Sequence, residues 1–415
     1  MKLLVIAAGA VALAVALKGD PAITYAKDIA PIIQKNCQPC HRPGQVAPFT
    51  LMNYEETKTW AREIRQVTTE RLMPPWKPEP GFGAFKHERR LENEEIKAIA
   101  KWVDDGCPMG DLRQAPAPVR YEEGWSLGKP DFIAEMAEEY EVAPTGEDEY
   151  RHFVIPTNFD KDVFVRALDV QPGNRKTVHH VVVFIDQTGI ARKLDERDPG
   201  LGYKAFGSPG FPPTSILGTW APGFSPAESP NGTGYRIPKG ADIVMQVHYY
   251  RTGKAERDRS KMALYFSQAA DPKEVFMRMA INMQFRIPPG EERHRVVARQ
   301  SIFRDSYLVG ILPHMHLLGK EMKITAKLPG KTDPLPLIWI KNWDFNWQDT
   351  YYYQQPILLP AGTEVIVEAV YDNSSKNPRN PHNPPKAVGW GEKTTDEMCL
   401  AFLHFLPASS WKPAE

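Results

Sequence analysis

The chain has 415 residues, with 51 basic and 51 acidic side chains and no net formal charge. That length holds several domains with ample core, and the charge balance gives no electrostatic reason to expect a nucleic-acid partner. The 29 glycines, the 39 prolines and recurring Thr/Val/Tyr runs favour a β-rich body with long loops.

Met1-Lys2 and the apolar run Leu3 to Leu17 read as a secretory signal over residues 1–18. The expected location is periplasmic or otherwise exported. Retention of this segment as an inner-membrane anchor is the rival reading, although the run is short for a full span. The four cysteines are too few and too scattered for a disulfide scaffold.

Residues 24–112 read as a small all-α domain. A short helix through Tyr25 to Lys35 turns Ile29, Ile32 and Ile33 inward. A second helix is expected over Asn53 to Thr68. A third, Asn93 to Asp104, carries the stripe Ile96, Ile99, Ala100 and Val103. Between the first two lies Cys37-Gln38-Pro39-Cys40-His41, the attachment pattern of a c-type haem. Cys37 and Cys40 would anchor the porphyrin, and His41 would supply the proximal imidazole. A redox Cys-x-x-Cys with an accidental histidine would need a thioredoxin-like βαβ body, which these helices do not offer. Met73, in Met73-Pro74-Pro75-Trp76, is expected as the distal ligand, with Met52, Met109 and His87 as alternatives. Met73 to Trp76 and the closing stretch through Trp102-Val103 and Gly106 to Gly110 resemble the small cytochrome c modules of bacterial secreted oxidoreductases. Residues 113–127 read as a Pro/Ala-rich linker.

Strand-like runs follow. His179 and His180 open the run Val178 to Ile185. Adjacent strand residues face opposite ways, so both reach one metal only through a local twist or bulge. His248 follows the apolar run Ile243 to Val247. Alone it reads as a hydrogen-bonded core histidine, but three histidines at strand ends offer a nitrogen-rich site for copper or zinc. His314 and His316 follow the run Tyr307 to Leu312. Positions i and i+2 of an extended chain face the same way, so both imidazoles can converge. Met398 would add one soft sulfur, a donor set suited to copper cycling between Cu(I) and Cu(II). Ordinary packing is its plainer reading. His152, His294 and His404 read as core or sheet-edge histidines, and His382 as a loop residue.

Four motifs in this order are similar to the copper type II, ascorbate-dependent monooxygenase family, across residues 128–410: Val178-His179-His180, Gln246-Val247-His248-Tyr249, Pro313-His314-Met315-His316-Leu317-Leu318-Gly319 and Thr395-Asp396-Glu397-Met398-Cys399. Peptidylglycine α-hydroxylating and dopamine β-monooxygenases belong to that family. The resemblance implies two antiparallel jelly-roll sandwiches, residues 128–265 and 266–410, with one copper each. It implies that His179, His180 and His248 hold an electron-transfer copper. It places His314, His316 and Met398 on an oxygen-activating copper across a solvent-filled cleft. Asp396 and Glu397 would hold the Met398 loop without reacting.

The expected protein is therefore multidomain: a small all-α cytochrome c-like domain, then two all-β antiparallel jelly-roll sandwiches. Its expected cofactors are two copper ions and one covalently attached haem c. It would hydroxylate a C–H bond of an organic substrate with dioxygen, taking electrons from a periplasmic cytochrome, a quinol-linked donor or ascorbate. Two departures stand out. The body has only Cys399, so disulfide bracing is absent, and animal members lack a fused haem module. A copper/haem protein that transfers electrons or reduces an oxidant without hydroxylating is the alternative, and a structural sandwich with inherited metal sites is the third reading.

Overall fold

The computed structural model describes residues 22–413 except 46, 122–123, 206–207, 222–225, 227 and 392. The apolar run Leu3 to Leu17, on which the export and anchor expectations rest, lies outside them. Among the described residues no helix is long and apolar enough to cross a membrane. That finding corrects only the inner-membrane-anchor part of the expected location and does not bear on export.

The chain divides into two compact units. One comprises the described residues up to Pro74 together with Leu91–Val119, and the other comprises Pro75–Arg90 with the chain from Arg120 onward. Two boundaries thus differ from the sequence reading. Residues 75–90, expected in the first domain, belong to the second, and the expected linker is divided between the units.

The first unit is helical. A π-turn, Tyr25–Ile29, runs into the helix Ala30–Asn36, and Ile29, Ile32 and Ile33 are buried as expected. The single helix expected over Asn53 to Thr68 is two, Tyr54–Thr59 and Ala61–Thr69, separated at Trp60. Asn53 caps the first by accepting a hydrogen bond from the Glu56 amide. In Asn93–Asp104 the fully buried residues are Ile99 and Trp102, while Ile96 and Val103 are only half-buried. Trp102 was not part of the expected stripe. It can be buried because its indole N–H donates to the Pro108 carbonyl, 3.1 Å away.

Among the described residues the regular elements of the second unit are strands apart from one helix, Ile190–Arg197. Its first half stacks two five-stranded sheets. One runs in the order Phe132–Glu135, Lys261–Phe266, Val163–Gln171, Thr233–Ile237, Lys273–Glu274. The other runs Tyr203–Lys204, Glu149–Pro156, Asp242–Tyr249, Val178–Asp186, Ser215–Trp220. Val165, Leu168 and Met262 from the first sheet pack against Phe153, Val181 and Met245 from the second. This is the face-to-face burial of a sandwich.

The second half differs from the expected discrete sandwich. It is one continuous eight-stranded sheet in the order Leu335–Ile340, Gly319–Lys327, Glu364–Tyr371, His294–Ser301, Phe276–Asn282, Cys399–Pro407, Ser306–His314, Tyr351–Leu359. A single register pair, Ile281 with Arg299, joins its two four-stranded layers. The edge strands Leu335–Ile340 and Tyr351–Leu359 contribute Ile338 and Tyr353 to the same core, so the sheet curls round it.

Residues 75–90 lie across those two edges. Pro78 bridges to Ile340 on one, and Phe85 bridges to Tyr353 on the other. Trp76, which ends the Met73-Pro74-Pro75-Trp76 stretch expected in the helical domain, instead packs edge-on against Tyr351. Phe85 is 2% exposed, a burial that contributes about 1.5–3 kcal/mol. Gly83 makes the approach possible. Its φ is +85°, and a Cβ there would meet the Leu337 carbonyl oxygen at 2.6 Å.

His152 and His404 are core residues, as expected. Burial pushes each down to about 4. A histidine kept neutral in the fold binds its proton only after unfolding, so stability is full above the unfolded value near 6.5 and falls between about pH 6.5 and 4. Replacing His404 by Asn keeps a polar partner beside the Tyr235 hydroxyl, 2.6 Å from Nδ1 in the native chain, and removes the titrating ring. Urea unfolding of His404→Asn across that window should show a pH slope reduced by up to about one proton relative to the parent.

Candidate metal centre

The first cluster begins with a backbone irregularity. Val178 pairs with Tyr249 and His180 pairs with His248, so His179 is the extra residue in the strand. This bulge supplies the distortion that adjacent histidines need to share a face. His179 Nδ1 lies 3.2 Å from His180 Nδ1, and His248 Nδ1 lies 3.3 Å from the same atom. The ligand atoms of all three fall within 4.8 Å of one another.

Burial favours the neutral imidazole at His179 and His180. Burial pulls His179 down to about 4, with His248 adding to it. Burial, and then the neighbouring histidines His248, His179, His314 and His316, hold His180 well below its ordinary value. His248 Nε2 donates to Asp148 Oδ2 at 3.0 Å, which leaves its Nδ1 lone pair facing the cluster. Tyr150 stacks on the His248 ring at 4.3 Å and 7°. An Nδ1–H on one ring can satisfy only one of these contacts at a time, whereas a shared cation accepts all three nitrogen lone pairs. Bonds of about 2.0 Å to a shared ion would leave the nitrogens about 3 Å apart, which fits the spacing found.

The second pair lies in the curled sheet. His314 ends the strand Ser306–His314, with its partner Leu400 two residues beyond Met398. The His314 and His316 ring centroids are 5.1 Å apart. His314 Nδ1 donates to Gln348 Oε1 at 2.5 Å, and His316 Nδ1 donates to the Asp396 carbonyl at 3.1 Å. Both rings are therefore anchored through Nδ1 and keep Nε2 free, the reverse of His248. Burial lowers His314 to about 4 and His316 to about 3.

Glu397 is the organiser of this segment. Its fully buried carboxylate accepts the amides of His316 at 2.9 Å, Leu318 at 2.6 Å and Met398 at 3.2 Å. Burial pushes the carboxyl up to about 8, opposed by those amide donors. One side chain thus ties the backbone of half-buried Met398 to the two-histidine turn. The Tyr371 hydroxyl fixes the Met398 carbonyl from the other side, at 2.7 Å.

The space between the two histidine groups is not the open cleft expected from the sequence. The Phe345 ring stacks on His179 at 5.4 Å and meets His316 edge-on at 5.8 Å. Sequence reading missed Phe345, Gln348 and Asp148. The first two sit in a loop with no motif, and Asp148 ends an acidic stretch that reads as solvated.

In the helical unit, Cys37, Cys40 and His41 follow Ala30–Asn36 as one further turn, with the Cys40 and His41 amides on the Cys37 carbonyl. Both cysteines are free of disulfides. His41 Nδ1 faces the Phe49 carbonyl at 3.2 Å, leaving Nε2 for a ligand, and burial lowers its affinity for a proton. This donor set, on helices without a βαβ body, fits a covalent haem. Met73 is half-buried, and no hydrogen bond joins it to His41 among the described residues. His87 is exposed and belongs to the other unit.

Residues 279–413 match the family model of the copper type II ascorbate-dependent monooxygenase C-terminal domain. That span contains His314, His316 and Met398 but not the three-histidine cluster, so the two observations are independent. The chain is 22% identical over 281 residues to chicken (Gallus gallus) DBH-like monooxygenase protein 1, covering 61% of this chain and 43% of the relative. It is 23% identical to peptidyl-glycine alpha-amidating monooxygenase A of Xenopus laevis, covering 65% and 27%. The chain is thus similar, over these spans, to the copper type II monooxygenase family.

The matched span and the three-histidine cluster fit a body that coordinates copper. The chain spans less than half the length of each of these two relatives. Among solved structures, PNGF-II has a TM-score of 0.28 at 11% identity, covering 66% of this chain and 65% of that one. Within the family, copper is the ion expected on the three histidines, which zinc chemistry alone would also fit. Competition titration with a copper chelator should show Asp148→Ala weakening this site by about 10–100-fold, and His248→Ala abolishing it.

Proposed function

We propose that this chain is a copper-dependent monooxygenase that hydroxylates a C–H bond of an organic substrate with dioxygen. In this reading His179, His180 and His248 hold the copper that passes electrons, and His314, His316 and Met398 hold the copper that meets oxygen. The observation that carries it is the convergence of three imidazole nitrogens on one point. The copper pair supplies one-electron chemistry and oxygen activation when bound.

The chain's own residues prepare for this in four ways. Burial keeps the imidazoles unprotonated and available near neutral pH. Asp148, Gln348 and the Asp396 carbonyl fix which nitrogen of each ring is free. Glu397 locks the turn that presents His316 and the strand start that presents Met398. Phe345 keeps apolar surface between the two groups, which excludes water from the space a substrate would use.

Electrons would enter through a haem held by Cys37, Cys40 and His41, with Met73 as its distal ligand. The Cys37-x-x-Cys40-His41 turn and the oriented His41 ring support that part of the reading. Ascorbate, a cytochrome or a quinol-linked protein would serve as external donor.

One observation favours the alternative, a copper/haem protein that transfers electrons or reduces an oxidant without hydroxylating. A ring already touching His179 and His316 leaves less room for substrate.

The deciding experiment supplies labelled dioxygen and reductant to copper- and haem-matured protein in a broad metabolite extract. A labelled product that disappears with Met398→Ala supports the hydroxylase, whereas redox cycling without labelled product supports the alternative. His41→Ala should lower turnover with cytochrome donors at least tenfold, while unchanged turnover with every donor would remove the haem from the scheme.

A further inference from the structure

The loop of residues 341–350 joins the two edge strands of the curled sheet, Leu335–Ile340 and Tyr351–Leu359. It contacts ligand-bearing residues of both histidine groups. Trp343 Nε1 donates to the His316 carbonyl at 3.0 Å. The Phe345 ring stands against His179 and His316. Gln348 Oε1 accepts from His314 Nδ1 at 2.5 Å. Its amide does not flip freely, because Gln348 Nε2 donates to the Phe345 carbonyl at 2.9 Å.

What holds this loop comes from far away in sequence. Arg89 Nη2 reaches Asp349 Oδ2 at 2.9 Å, and Lys77 Nζ reaches Asp344 Oδ2 at 3.5 Å. The side chains of both pairs are mostly covered, so solvent screens them less than an exposed pair. Between Lys77 and Arg89 the chain is stitched to both edge strands. The Glu79 amide donates to the Trp339 carbonyl at 2.7 Å, the Lys86 amide to the Tyr352 carbonyl at 2.8 Å, and the Gln354 amide to the Ala84 carbonyl at 2.9 Å. Phe85 fills the gap between Tyr351 and Tyr353, with centroids at 5.4 and 5.0 Å. The strap and the loop therefore cross the same opening of the sheet and are tied to each other at two charged pairs.

We propose that Pro75–Arg90 is a positioning strap for the His314 side of the metal centre, acting through Arg89, Asp349 and Gln348 to fix the His314 ring with Nε2 free. Arg89 and Lys77 are positioning residues. Their ion pairs are with Asp349 and Asp344 of the loop. Gln348 is the element that converts loop position into ring orientation. The copper part of this inference rests on the proposed function, but the ring orientation does not.

The test therefore begins without metal. Nitrogen-15 NMR of copper-free protein should show His314 as a single Nδ1–H tautomer in the parent chain. Arg89→Ala and Gln348→Ala should each give a tautomer mixture at His314 and leave His248 unchanged, and Arg89→Lys should restore the parent pattern in part. Copper ion is then added alone. Arg89→Ala should weaken copper at the His314 side about 10–100-fold and leave the three-histidine site unchanged. The double variant should be no weaker than Gln348→Ala by itself, because both changes break one route. Loss of both sites together, an unaltered His314 tautomer in Arg89→Ala, or fully additive effects would each overturn the proposal. If the tautomer shifts but no copper binds the parent protein at His314, the strap assignment stands and the copper reading fails.

Discussion

A strand cannot present two neighbouring side chains to one face, and the metal centre depends on how this chain breaks that rule. The extra residue at His179 lets His179 and His180 turn to the same side. His248 then arrives from the adjacent strand, in register with His180. Without the bulge one imidazole would point away, and two nitrogens would remain where three are needed. Burial and Asp148 complete the arrangement by holding the rings neutral and orienting His248.

The second group solves the same problem by different means. His314 and His316 need no bulge, since alternate residues already share a face. Their difficulty is holding a turn rigidly at the end of a strand, and Glu397 meets it. A carboxylate buried so fully is costly unless its oxygens are occupied. Here backbone amides from both sides of the site occupy them, so the polar group that is hardest to bury is also the brace. The outcome is two histidine groups with opposite ring anchoring. One presents Nδ1 nitrogens, and the other presents Nε2 nitrogens.

Much of this was legible in the sequence, for identifiable reasons. His179, His180, His248, His314 and His316 carry spacing that strand geometry constrains directly, and the need for distortion at His179 follows from the period of two. The helical character of residues near Cys37 follows from the apolar stripe through Ile29 and Ile33. Contacts without local periodicity were not legible. Arg89 and Asp349 are 260 residues apart, and Gln348 sits in a loop with no motif. Residues 75–90 look like part of the helical domain because they lie between its helices in sequence, yet Pro78 and Phe85 bridge to the edge strands of a distant sheet. The two-sandwich expectation failed in its second half for a similar reason. One pairing, Ile281 with Arg299, joins layers that strand spacing alone would leave separate.

The claim on which the account turns is that two copper sites of different donor composition exist in one β unit. X-ray absorption at the copper edge, on protein loaded with cuprous ion, reads the donors directly. The account predicts two coppers per chain, nitrogen around both, and a sulfur contribution that vanishes in Met398→Ser while the copper of the three-histidine site remains. A single copper per chain, or a parent spectrum without sulfur, would contradict it.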